Sequence, residues 1–186
     1  MVILILNFMK QLLLIFIVML SSCTKKHDES KDDKLILAKI PYSGTELKIN
    51  GVYYTYSTIE PTKKAGPTFF YNNGFFLTFG CGNDTELIQC INEVSNNNWA
   101  QNSKSGWGLF EIEGTSLYYE RWYPKSFGSI YKVFSHECEI LNDTTYLVKK
   151  KYRLVNGQQT EVAFPNHTYH FVQFQNKPNS DNNFIP

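Results

Sequence analysis

The chain has 186 residues, with 18 Lys and Arg set against 17 Asp and Glu and a formal net charge of +1. So even a balance, with Lys149-Lys150-Lys151 as its one basic run, offers no electrostatic footprint for a nucleic acid. Aromatic residues reach 16 %, including 14 Phe and 12 Tyr, which favours strands, and no Gly-x-Ser-x-Gly, His-Glu-x-x-His or phosphate-loop motif is present.

The chain opens with a targeting pattern. Met9-Lys10-Gln11 leads into an apolar run over 12–20 that closes with Leu20-Ser21-Ser22-Cys23. A basic start, an apolar core of about 7–15 residues and small residues at the cut are the parts of a secretory signal. Residues 1–8 are apolar and uncharged, unlike the start of such a signal, so Met9 is the expected initiator. A membrane-spanning helix is the alternative; 2–20 approaches the ~18 apolar residues that it needs, but Asn7, Lys10 and Gln11 interrupt it. Leu20-Ser21-Ser22-Cys23 resembles the lipobox of bacterial lipoproteins. That resemblance implies removal of residues 1–22, two or three acyl chains on Cys23, and a membrane as partner, most simply the outer membrane of a bacterial envelope on either of its sides. Each buried methylene contributes about 0.8 kcal/mol, so several chains hold firmly where one binds reversibly.

Removing 1–22 from 186 leaves 164 residues, enough for one domain with a sizeable core. Residues 24–34 read TKKHDESKDDK and are too poor in apolar groups to fold alone, so 23–45 is expected to be a flexible tether. Asp28-Glu29 and Asp32-Asp33 resemble the acidic residues after the cysteine in surface-exported lipoproteins of Bacteroidota, set further along the chain.

The folded domain is expected over 46–176, with 177–186 as a tail. Residues 47–57 form a first strand, rich in Tyr, Ile and Val. Strands 68–71 and 75–79 flank Asn72-Asn73-Gly74, a hairpin signal. One helix follows over 84–97, capped by Asn83 or Asp84, with Leu87, Cys90, Ile91 and Val94 on one stripe. Beyond a polar loop, strands over 107–113, 116–122, 129–141, 145–155, 159–164 and 169–175 alternate with short turns. About nine strands in sequence and one helix predict a mainly β fold, an antiparallel up-and-down barrel or else a strongly coiled sheet. Strict alternation over 145–155 turns Tyr146, Val148, Lys150, Tyr152 and Leu154 inward and Leu147, Lys149, Lys151 and Arg153 outward. An inward Lys150 calls for a snorkelling side chain, a bulge or an interior anion.

Asn50-Gly51-Val52-Tyr53-Tyr54, the Leu141-to-Tyr146 turn and the aromatic tail from Tyr169 to Ile185 make the chain similar to lipocalin-like small lipoproteins of Bacteroidota. The resemblance implies a lipocalin-like barrel, with Tyr53 where lipocalins place a base-plugging Trp and Arg153 as the arginine covering it.

A barrel of about eight strands is either filled by side chains or holds one small ligand. Tyr53, Tyr71, Phe110, Phe134, His136, Tyr146 and Tyr152 are the candidate lining of a site for a small apolar ligand, with Phe69, Phe76 and Ile112 beside them. The rival reading is a filled barrel in an accessory protein, touching an envelope protein or glycan through Trp99, Trp107, Trp122 and Tyr123. After Cys23 three cysteines remain, and Cys81–Cys90 is the first pairing to test, against three buried thiols. His136 and Cys138 share one strand face but are too few for a zinc site, so neither metal nor cofactor is expected. Glu111, Glu113 and Glu120 read as rim carboxylates rather than an acid/base pair, and no enzyme is expected. Asp143-Thr144-Thr145 resembles an O-glycan acceptor of exported Bacteroidota proteins and also reads as a plain turn.

Overall fold

A computed structural model describes residues 31–56, 64–81, 86–125 and 130–186. The signal, Cys23, Asp28-Glu29 and the expected helix caps Asn83 and Asp84 lie outside them. The described strands are β1 (Gly51–Tyr56), β2 (Lys64–Phe70), β3 (Phe75–Thr78), β4 (Trp107–Glu113), β5 (Ser116–Pro124), β6 (Tyr131–Asn142), β7 (Thr145–Val155), β8 (Gln158–Ala163) and β9 (His167–Gln173). Helices α1 (Leu87–Asn96) and α2 (Trp99–Asn102) lie between β3 and β4.

The protein is mainly β, and eight of the strands close an antiparallel barrel. β1 to β7 pair in sequence, β9 pairs with both β7 and β1, and β8 pairs with β7 outside the ring. One edge of β7 serves two partners. Thr145–Val148 face β9 and Lys151–Val155 face β8.

Two cores explain the aromatic content. The inner core is the barrel interior, with Tyr53, Phe70, Phe76, Phe110, Leu117 and Tyr146 among its members. The outer core lies on the other face of β1 to β5, where Val52, Phe69, Leu77, Trp107, Leu109 and Trp122 pack under Leu87 and Ile91 of α1. Strands buried on both faces read as continuous apolar runs, as in Phe75-Phe76-Leu77, rather than alternating. Gly108 sits where β4 and β5 touch. A Cβ there would lie 1.8 Å from the Glu120 carbonyl oxygen and 2.3 Å from the Phe76 ring. The α1 stripe of Leu87, Cys90 and Ile91 is buried as its spacing predicts, and a Cys81–Cys90 disulfide joins the helix to the segment after β3. Glu86 precedes the helix without a side-chain cap.

The expected tether 23–45 needs correction from residue 31 onward, because that segment packs along the barrel as a strap. Asp33 accepts hydrogen bonds from Arg153 (2.9 Å), Lys132 (3.2 Å) and the Val133 N–H (3.3 Å), and Asp32 pairs with Lys104 at 2.7 Å. Burial raises the Asp33 pKa, yet these bonds hold it below the usual carboxylate value. The N–H groups of Ile36 and Leu37 donate to Glu120 Oε2, and the Trp122 indole donates to the Asp33 carbonyl. A segment so charged and so poor in apolar groups does not fold alone, but partners on β5, β6 and β7 supply the missing contacts. The tail 177–186 also docks: Tyr71 donates to the Pro178 carbonyl at 2.9 Å, Lys177 donates to the Ile49 and Phe70 carbonyls, and Ile185 is buried in the outer core.

Candidate functional site

The barrel interior divides into a filled base and an open half. At the base, Tyr53 contacts Phe70, Tyr146 and Phe171 with ring centroids 5.3–5.6 Å apart, and Phe70 meets Phe110 at 4.9 Å. Leu47 and Tyr42 close this end from the strap, and the Tyr53 hydroxyl donates to the Asp143 carbonyl at 3.0 Å. Tyr53 thus packs at the centre of this end of the inner core. Arg153 does not cover it. β7 starts beside Tyr53 with Tyr146, and at about 3.3 Å per residue Arg153 lies near the far end, bonded to Asp33 and Glu161.

Above the base lies a cavity of about 260 Å³. Its wall is built rung by rung from opposed residues, since directly paired residues of antiparallel strands point to the same side. Tyr119 of β5 pairs with His136 of β6, which pairs with Lys151 of β7. The next rung pairs Arg121 with Phe134. Thr68 faces Thr78 across β2 and β3, with hydroxyls 3.1 Å apart, and Val148 faces His167. Tyr123, Phe76, Pro165 and Tyr169 complete the lining.

Its electrostatics are one-sided. Arg121 is enclosed by protein with part of its surface open to the cavity. Its guanidinium lies 3.9 Å from the Tyr123 ring centre and donates to the Tyr123 hydroxyl, while Nε has no hydrogen-bond partner. Burial lowers its pKa, though a guanidinium remains charged. Lys151 is half-buried between the rings of Tyr123 and Phe134, at 4.3 and 4.6 Å, and burial followed by Arg121 lowers its pKa. Burial, then Arg121 and Lys151, push His136 well below the usual imidazole value, so it is neutral, stacked on Tyr119 at 4.3 Å. No Asp or Glu lines this cavity among the described residues.

Several expected site residues need reassignment. Tyr152 turns outward, and so does Lys150, because β7 carries an extra residue: Glu137 pairs with Lys150 and Cys138 with Val148, leaving Lys149 unopposed. This bulge reverses the alternation and brings Lys151 inward. Tyr71 belongs to the outer core, as does Phe69. Tyr53, Phe110 and Tyr146 fill the base, so of the expected set His136 lines the cavity and Phe134 flanks it. Trp107 and Trp122, expected as exposed partner contacts, are buried in the outer core at 0 % and 5 % exposure. Glu120 accepts from the strap and from Ser135 on the outer face, apart from Glu111 and Glu113. His167 lines the cavity while His170 lies tilted against Tyr54 and Tyr56. The described residues contain no group of three or more His, Cys, Asp or Glu suited to a metal ion, and none of their helices is long and apolar enough to cross a membrane.

Arg121 escaped the sequence reading although its signal was there. It alternates with Leu117, Tyr119 and Tyr123, a charge on an otherwise apolar face. No family model, curated protein or solved structure matches the chain.

Proposed function

We propose that this chain is an exported lipoprotein, held on the outer membrane of a bacterial envelope by acyl groups on Cys23, whose barrel binds a small ligand and performs no chemistry on it. One observation carries the reading. Aromatic side chains meet across the base of the barrel, whereas about 260 Å³ stays open beside Arg121, close to the ~300 Å³ at which small-molecule sites begin. A barrel serving only as a scaffold would be filled along its whole length. The rival reading, an accessory protein gripping a protein or glycan, loses two of its four aromatic anchors to the outer core.

Native mass spectrometry of the chain purified from the cells that make it tests this. The expected result is a retained small molecule, absent from a Val148→Phe variant that narrows the cavity. A wild-type mass that the polypeptide and its acyl groups account for in full overturns the reading.

A further inference from the structure

We infer that the ligand of this cavity is a small organic carboxylate, its charge received by Arg121 and Lys151 and its body by the aromatic wall. This rests on the ligand-binding reading above and adds the chemical class.

The protein supplies cations here and withholds their counter-ions. Other inward or half-buried cations meet acceptors: Lys104 bonds Asp32, Lys132 bonds Asp33, Arg153 bonds Asp33 and Glu161, and Lys177 bonds the Ile49 and Phe70 carbonyls. Arg121 and Lys151 have no ion pair within bonding distance among the described residues; Glu161 acts on Lys151 only from further off and is bonded to Arg153 at 2.7 Å. A buried charge without a partner is destabilising. A lysine relieves it by losing a proton, but a guanidinium does not. The Arg121 guanidinium is therefore a fixed cation on the cavity wall with no carboxylate of the described residues to meet it. An anion in the cavity supplies the missing charge and accepts hydrogen bonds from whatever donors face it.

Carboxylate is the favoured anion for two reasons. A planar guanidinium edge matches a planar carboxylate, and the other groups around the cavity are single hydroxyls and a neutral imidazole. Apart from Pro165 the described lining residues all belong to strands, so no described helix offers its N-terminus to a phosphate here. Phe76, Tyr119, Val148 and Tyr169 offer an apolar body its contact surface, and the volume limits it to a small molecule.

The test uses the full chain in lipid nanodiscs, titrated calorimetrically with phenylacetate, phenylacetamide and benzylphosphonate at constant ionic strength. Phenylacetate is expected to bind about tenfold or more tightly than its amide, as a charge-assisted bond implies. Arg121→Met should remove that preference without lowering the melting temperature of the ligand-free protein, because it deletes an uncompensated buried charge; Lys151→Met should weaken phenylacetate alone. If amide and carboxylate bind equally, the carboxylate assignment falls while ligand binding stands. Preferential binding of benzylphosphonate replaces carboxylate by phosphoryl and overturns it too. A lowered melting temperature in Arg121→Met makes the arginine structural and likewise sinks it. If no probe binds, the inference fails, and the native mass measurement separately decides whether the binding reading fails with it.

Discussion

Single side chains set the chemistry of the cavity. His136 shows how burial becomes a pH response. It is 5 % exposed, stacked on Tyr119, and faces the cations Arg121 and Lys151 from β5 and β7. In the unfolded chain its imidazole takes up a proton near pH 6.5, whereas in the folded protein burial and those cations oppose protonation. The unfolded state then binds more protons as pH falls, so stability is complete above about pH 6.5 and declines below it, by about 1 kcal/mol between pH 7 and 5.5. Urea unfolding at the two pH values should show this loss in the wild type and a smaller one in His136→Phe, which keeps the stack on Tyr119. Equal losses in both would show that His136 is not the responsible group. The same low-dielectric setting makes Arg121 a stronger donor than it would be in water.

At the scale of elements, one inserted residue and one disulfide matter most. The bulge at Lys149 selects which lysine enters the barrel, turning Lys151 toward His136 and Tyr152 away. Gly66, at φ +60°, marks a second insertion in β2, where Tyr53 pairs with Thr68 but Thr55 with Ala65. The Cys81–Cys90 bond spans nine positions and ties α1 over the outer core. Closing a loop of this size stabilises by about 2–3 kcal/mol on the chain-entropy account. Denaturation of Cys81→Ala/Cys90→Ala should show a loss of that order, and a reducing agent should produce the same loss in the wild type without affecting the double variant. A reductant effect that persists in the variant would point to another cause.

At the scale of the molecule, the strap and the tail add a second layer over β1 to β5, and the barrel is closed by β9 rather than by the adjacent hairpin strand β8. Only eight positions separate Cys23 from Lys31, where the docked strap begins. Fully extended, such a spacer reaches about 28 Å, so acylation at Cys23 would hold the barrel close to the membrane. Replacing Cys23 by Ser in the producing cells is expected to move the protein from the membrane to the soluble fraction. Continued retention of the variant on membranes would place the anchor elsewhere.

Local patterns determined the elements. The hairpin at Asn72-Asn73-Gly74, the stripe of α1 and the number of strands are set by neighbours a few residues apart, and they are legible in the sequence for that reason. So is the face shared by Tyr119 and Arg121, because alternation along an unbroken strand is a local property. Tertiary structure decided the rest. Phe69 and Phe70 look alike as sequence, and only closure of the barrel assigns one to the outer core and the other to the inner. The Lys149 bulge arises from pairing with β6, a partner defined by hydrogen bonds across the sheet, so no reading of β7 alone distinguishes Lys150 from Lys151. The strap orders because Lys104, Lys132 and Arg153, 72 to 120 residues away, meet its two aspartates. Spacing along the chain carries information about side-chain direction, whereas pairing between distant strands settles which directions converge on one cavity.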